Sequence, residues 1–349
     1  TAWAFNTMGA VIINGPHVAG IADFPPPDIE DGECLVRVTR TGVGASDMDV
    51  FRGTNPMQHY PRIPGADTVG IVETCSGSLA SVRRVLIPQT LPCNSCAACR
   101  VGATERCLSP GLLGRDRDGG MRDWMTAAAE DLITLPEELD DDLAVCVPDA
   151  AFALSALARA QEGLDKLPER GADGYVTIFG AGFLGVTMAL AAADQQLRPI
   201  LVDVVEARLE FARSLGIRHT CNPLRDFVGD QVRWITRTRY AGAAVVASED
   251  PETTLTAPSV LRPGARLVLT GHHHNSYIPA SDIIANSIEV VGVHRNRRYT
   301  AEASAFLAAH ASEFAELISL RLEPASMPQT FELLSREPKS YMKVICTQQ

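Results

Sequence analysis

Two groups of residues in this sequence have types and spacings that could do chemistry. The first is Cys93-Asn94-Ser95-Cys96-Ala97-Ala98-Cys99 followed by Cys107, which gives C-x2-C-x2-C-x7-C within one loop. Thiolates at these spacings converge on a tetrahedral Zn2+, and four protein ligands leave no open coordination position, so such a site is structural. The second is Gly180-Ala181-Gly182-Phe183-Leu184-Gly185, a G-x-G-x-x-G run. Its glycines allow a tight turn and close approach of backbone to a pyrophosphate at the positive end of the following helix. Asp203 lies at the distance where an acid receives the ribose hydroxyls and repels a 2′-phosphate, so NAD(H) is favoured over NADP(H). Arg208 joins Gly180, Gly182, Phe183, Leu184, Gly185 and Asp203 as a candidate coenzyme contact.

The surrounding elements are those such motifs need. Tyr175 to Phe179 reads as a buried strand before the glycines, Val186 to Ala193 as an apolar helix after them, and Pro199 to Val202 as a second strand ending on Asp203. Further strands are expected at 243–247, 266–270 and 288–293, and alternating strands and helices of this kind build a doubly wound parallel sheet. Upstream, Ala10–Ile13, Cys34–Arg40 and Thr68–Glu73 are short β-rich runs set off by Gly and Pro, indicating a partly closed β domain. Residues 150–163 read as a helix entering the second domain, residues 301–320 as another helix, and Met342 to Cys346 as a strand returning to the first domain.

At 349 residues the chain has room for two cores. A net charge of −11 argues against nucleic acid or an anionic membrane surface as the main partner. No apolar run approaches the ~18 residues that span a bilayer, and no signal-peptide pattern opens the sequence, so a cytoplasmic protein is expected. Of nine cysteines, four crowd into the lobe and five are scattered among apolar neighbours, which favours a metal site and reduced thiols.

A β domain, a four-cysteine lobe and a later nucleotide unit, in that order, make the chain resemble the medium-chain dehydrogenase/reductase superfamily in its zinc-type alcohol dehydrogenase branch. The resemblance implies an α/β fold: a GroES-like β domain from residues 1–152 and 296–349, with the lobe at about 90–110, and a Rossmann doubly wound parallel sheet from 153–295. It also implies a homodimer or homotetramer acting on a small-molecule substrate. Relatives hold a catalytic zinc with the cysteine of G-x-C-G-[ST]-D, the histidine of G-H-E and a further residue at the bridging helix. Here Gly42-Val43-Gly44-Ala45-Ser46-Asp47 puts Gly44 at the first position, Pro64-Gly65-Ala66-Asp67 puts Ala66 at the second, and the third falls near Pro148 or Asp149. Glycine and alanine carry no donor atom, so one structural zinc and no catalytic zinc are expected. A substitute site from Asp47, Asp49, Asp67 and Asp149 would offer carboxylates where zinc prefers nitrogen and sulfur.

Loss of the Lewis acid fits an acceptor that carries its own electrophilicity, an activated C=C, C=N or C=O. Ser46 occupies the family's relay hydroxyl position, and with Asp49 or Asp47 behind it forms the expected proton-handling set, beside Asp67. Two alternatives stay open: a dehydrogenase of a polyol, amino alcohol or sugar-like alcohol using acid/base residues in place of zinc, and a non-catalytic dinucleotide-binding protein. His272-His273-His274 and the basic run His294-Arg295-Asn296-Arg297-Arg298 follow predicted sheet strands and read as loop and solvated face.

Overall fold

The computed structural model describes residues 8–54, 58–76, 84–167, 174–271, 276–295 and 297–348. They form two compact units, one from residues 1–148 and 304–349, the other from 149–303.

The first unit is mainly antiparallel β, with one parallel pair between its last two strands. A hairpin of β1 (Met8–Gly15) and β2 (Val18–Phe24) stands beside a larger sheet. That sheet is built from β3 (Glu33–Val43), β4 (Asp67–Cys75), β5 (Arg84–Ile87), β6 (Trp124–Ala128) and β7 (Ile133–Thr134). It is completed by two strands from beyond the second unit, Ile318–Leu322 and Lys343–Thr347. Between β3 and β4 lies α1 (Ala45–Arg52). The core of this unit gathers Val50, Phe51, Ile63, Met121 and Phe331 on one side and Val36, Val72, Val85 and Met125 on another.

The second unit begins in α2 (Val147–Leu164), whose alanines and leucines bury one side. Its six parallel strands are β8 (Tyr175–Phe179), β9 (Arg198–Val202), β10 (His219–Cys221), β11 (Ala241–Val246), β12 (Leu261–Leu269) and β13 (Glu289–Gly292). They lie in the order β10-β9-β8-β11-β12-β13. β8 and β11 are buried at every residue, as parallel strands covered on both faces must be, which is why they read as unbroken apolar runs. This order reverses direction beside β8, and ligands of such sheets gather at the carboxyl ends of the strands flanking that point.

Two expectations fail. The stretch 301–320 is not one helix: it is two helices, Thr300–Ala309 and Ala311–Leu317, interrupted at His310 and followed by β14 (Ile318–Leu322). In β14 exposure alternates with period two, a strand signal that the preceding helical pattern masks. Nor are all scattered cysteines reduced thiols. The register of β3 on β4 sets Cys34 opposite Cys75, and the two form a disulfide across 41 residues. The pairing depends on strand register, which spacing in sequence does not reveal. Unfolded in denaturant without reductant, the metal-free protein is expected to titrate seven thiols, and nine after reduction; nine in both conditions would refute the pairing.

Candidate active site

The candidate site is built where β3 runs into α1 and where residues 63–67 enter β4. Gly44 is the extended residue before α1, and the Asp47 carboxylate turns back so that Oδ2 accepts from the Gly44 N–H at 2.9 Å. Its Oδ1 accepts from the Gly65 N–H at 2.7 Å. One carboxylate thus staples together the start of α1 and the segment that enters β4. Gly65 has to be glycine: its φ is +108°, and a Cβ there would lie 2.6 Å from Thr41 Cγ2 and 2.7 Å from the Met121 amide. Asp47 is 1% exposed. Burial pushes its pKa up to about 6, opposed by the Gly44 and Gly65 N–H groups; Asp67 adds to the rise and Lys343 opposes it.

Asp67, the first residue of β4, meets Lys343, the first residue of β15 (Lys343–Thr347), with Nζ 3.0 Å from Oδ2. Both side chains are almost fully buried, at 2% and 4% exposure. The sheet explains how they meet. Gly42 pairs with Asp67 on one side and with Ile345 on the other, and the lysine crosses the gap left by the missing side chain; a Cβ on Gly42 would stand 2.9 Å from Nζ. A Cβ on Gly44 would lie 3.8 Å from Asp47 Oδ2 and 3.9 Å from Asp67 Oδ2. Two carboxylates therefore lie at van der Waals distance from the place where a side chain at position 44 would begin, and an ammonium is paired with one of them.

Ser46 is half-buried, and its Oγ accepts from Gln89 Nε2 at 3.3 Å. Asp49 instead accepts from Thr54 Oγ1 at 2.9 Å, at the far end of α1. The structure thus brings Asp47 and Asp67 together and turns Asp49 away. Sequence reasoning missed two residues here, Gln89 and Lys343. A lone lysine opening the apolar run Val344-Ile345-Cys346 was the only signal of the second, and nothing local marks the first. Asp149 pairs with Arg295 at 2.5 Å, and the guanidinium lies 5.0 Å from the Phe152 ring centroid. That bond gives Asp149 and one member of the basic run a structural partner within the second unit. His272, His273, His274 and Asn296 lie outside the described residues.

Among the described residues, the four lobe cysteines are the only group of three or more acidic, histidine or cysteine ligands that converges; the aspartates do not. All four Sγ atoms lie within 4.8 Å of one another, with Cys96 and Cys99 3.5 Å apart and Cys93 and Cys99 4.0 Å apart. A tetrahedral zinc with bonds of about 2.3 Å needs sulfurs about 3.8 Å apart, so the lobe fits the ion. Amides of Cys93 and Leu108 donate to Cys107 and Cys96 sulfurs, as outer partners of such thiolates do. Donors on the Ser95 backbone and hydroxyl bring the Cys93 thiol down to about 5.

In the second unit, the glycine loop leaves β8 and enters helix Phe183–Asp194 with Gly182 as its cap. Gly180 has φ +103°, and a Cβ on Gly185 would fall 1.7 Å from the Gly180 carbonyl. Asp203 closes the loop from below. Its Oδ2 accepts from the Ala181 amide and its Oδ1 from the Val205 amide, each at 2.7 Å, and Arg208 Nη1 stands 3.7 Å from Oδ2. The loop, the acid and the arginine named from sequence are thus one assembly.

These features have counterparts in known proteins. Residues 30–137 match the family model described as an alcohol dehydrogenase GroES-like domain, and residues 182–310 that described as a zinc-binding dehydrogenase. An uncharacterized zinc-type alcohol dehydrogenase-like protein of Haemophilus influenzae is 29% identical over 340 residues, 96% of this chain and 97% of its own. D-altritol 5-dehydrogenase of Agrobacterium fabrum is 25% identical over 332 residues, 93% of this chain and 95% of its own. A crystal structure of an Escherichia coli protein described as a short chain alcohol dehydrogenase, complexed with NADH, superposes with a TM-score of 0.86 at 22% identity, covering 99% of this chain and 100% of the other. Fold and matches together define an oxidoreductase with a GroES-like domain and a Rossmann-type parallel sheet. The chain belongs to the zinc-type alcohol dehydrogenase family of the medium-chain dehydrogenase/reductase superfamily. No helix among the described residues is long and apolar enough to cross a membrane.

Two outcomes follow from the ionic cluster. Removing one partner of a buried pair strands the other charge, so Lys343→Met is expected to destabilise the first unit by about 3–5 kcal/mol in chemical denaturation; a loss under about 1 kcal/mol would show that the pair is not buried as described. Asp47 holds its proton more tightly folded than unfolded, so its contribution to stability is present below pH 3.8 and is lost as pH rises towards about 6. Asp47→Asn is expected to flatten that slope by roughly 3 kcal/mol over the interval, measured by denaturant melts at stepped pH; an unchanged slope would count against the raised pKa.

Proposed function

We propose that this chain is a cytoplasmic NAD(H)-dependent oxidoreductase that keeps one structural zinc and works without a catalytic zinc. The observation that carries the reading is the donorless pair Gly44 and Ala66, with the Asp47 and Asp67 carboxylates beside Gly44 and Lys343 paired to Asp67. The four thiolates of Cys93, Cys96, Cys99 and Cys107 would hold the structural ion. Gly180, Gly182 and Gly185 would let the pyrophosphate approach the backbone, and Asp203 would receive the adenine ribose, which favours NAD(H). The bound dinucleotide supplies or accepts a hydride.

The residues of the first unit handle the proton. Gln89 donates to Ser46 Oγ, which leaves the Ser46 O–H to point at a substrate oxygen or nitrogen. Hydride transfer to an activated C=C, C=N or C=O carbon builds negative charge that this hydroxyl would meet, with Asp47 as the buried acid nearest in the chain. Names among the relatives favour a second reading, oxidation of a sugar alcohol: beside the D-altritol enzyme, a Bacillus subtilis sorbitol dehydrogenase is 24% identical over 341 residues. The substrate is a small molecule in both readings, and the superfamily's assembly suggests a homodimer or homotetramer.

Elemental analysis of metal-washed protein is the test. About one zinc per chain, lost in Cys107→Ser, is expected for a closed four-thiolate site alone; about two would overturn the metal-free active site. Turnover is expected to fall about 100-fold in Ser46→Ala with NADH affinity unchanged, and equal turnover would remove Ser46 from the mechanism.

A further inference from the structure

Arg122 is a half-buried arginine whose side chain makes no hydrogen bond and no ion pair within 4 Å among the described residues, Asp118 acting on it only from farther away. Its backbone is fixed. The segment 119–121 is zipped onto residues 63–65 by hydrogen bonds from the Gly119, Gly120 and Met121 amides to the carbonyls of Ile63, Gly65 and Pro64, at 2.7, 2.9 and 3.0 Å. The Arg122 amide donates to the Gly120 carbonyl at 2.7 Å, and the Asp123 amide to the Gly9 carbonyl of β1 at 3.2 Å. The guanidinium is therefore carried on a rigid ladder, and its Nε is sealed from solvent with no acceptor. Nη1 and Nη2 also lack acceptors yet are not sealed, so they reach an opening.

The acids close to it in sequence are committed elsewhere. Asp118 Oδ1 takes Arg62 Nη1 at 3.0 Å and the Ile63 amide at 3.2 Å, and Asp123 Oδ2 takes the Gly9 amide at 2.8 Å. Burial lowers the Arg122 pKa and Asp118 partly restores it, but a guanidinium stays charged in a protein. A partly desolvated cation whose nearest acid is shared with Arg62 is incompletely compensated, and an arriving anion would complete it. The same ladder carries Gly65, whose amide holds Asp47, so Arg122 is joined by backbone to the candidate active site.

We propose that Arg122 is an anion-binding residue whose two terminal N–H groups receive one oxyanion, a carboxylate or a phosphate, carried by the substrate. The assignment rests on the reading above only in making that anion part of the substrate. Its chemistry is that of the planar guanidinium fork, which matches two oxygens of one group. In a chain of net charge −11 a built fork, rather than a general positive field, is what would gather such a ligand. Neutral alcohols and aldehydes would leave the fork unpaired, so the site would discriminate against them.

The test is calorimetric titration of the zinc-loaded protein with inorganic phosphate and, separately, with acetate, each against sodium chloride at equal ionic strength. Saturable binding of at least one oxyanion is expected in the wild type, weakened about ten-fold or more in Arg122→Met. Phosphate alone would mark a phosphorylated substrate, and acetate a carboxylic acid. Arg122→Lys keeps the charge but not the fork; it is expected to bind more weakly than wild type, and it carries the comparison should the methionine variant not fold. No binding above the chloride control in the wild type, or equal affinity in both variants, would overturn the assignment. NADH titration of the same samples is expected to be unchanged by either substitution. Failure of the wild type to bind NADH would instead strike at the oxidoreductase reading and leave the anion result standing.

Discussion

The first unit depends on a carboxylate and an ammonium that have left water together. Asp67 and Lys343 begin strands that lie on either side of β3, and their bond can form only because Gly42 between them has no side chain. A buried pair of this kind contributes little net stability compared with apolar residues of the same size, since desolvation offsets most of the attraction. What it does impose is register. If β15 slipped by one residue, Lys343 would face the other side of the sheet and Asp67 would be left charged in the interior. Asp47 acts similarly between α1 and residues 63–67, with backbone amides in place of a lysine. The candidate site is thus held by electrostatics between segments far apart in sequence.

The Asp47, Asp67 and Lys343 cluster differs in kind from a set of side chains organised by a metal. A metal ion draws its ligands to fixed distances and adds a Lewis acid that polarises the reacting oxygen. Here Asp47 and Asp67 are carboxylates, Lys343 is paired with one of them, and the half-buried hydroxyl beside them in sequence is that of Ser46, held by Gln89. Placed beside a developing oxyanion, this arrangement offers hydrogen bonding rather than strong polarisation.

Legibility in the sequence followed the range of the interactions. The cysteine lobe and the glycine loop could be read because each is local: spacing within fifteen or thirty residues is enough to bring the thiols together or to seat a helix below a turn. Asp203 and Arg208 could be named for the same reason, and they lie against the loop they were assigned to. Gly44 and Ala66 were visible as absences against a family pattern, but what stands around them was not. Lys343 is 276 residues from Asp67, Gln89 is 43 from Ser46, and Cys75 is 41 from Cys34. Each contact is decided by strand register and topology, which apolar periodicity does not encode. The strand Ile318–Leu322 was lost inside a helical pattern because a helix-forming stretch leads directly into it.

The order of strands in the first sheet has a consequence for synthesis. β15 lies between β14 and β3, so the sheet that starts near residue 33 is completed by residues near 347. The second unit is one continuous stretch whose neighbouring strands are close in sequence, and a chain emerging from the ribosome can complete it while the first sheet still lacks two strands. Until those arrive, the Arg40–Val43 stretch of β3 has no strand on its outer side, the Glu33–Arg37 stretch being taken by β6, and Asp67 has no lysine. The nascent N-terminal half is therefore the part of this molecule most exposed to wrong pairing, and a chaperone that shields β edges would find its work there.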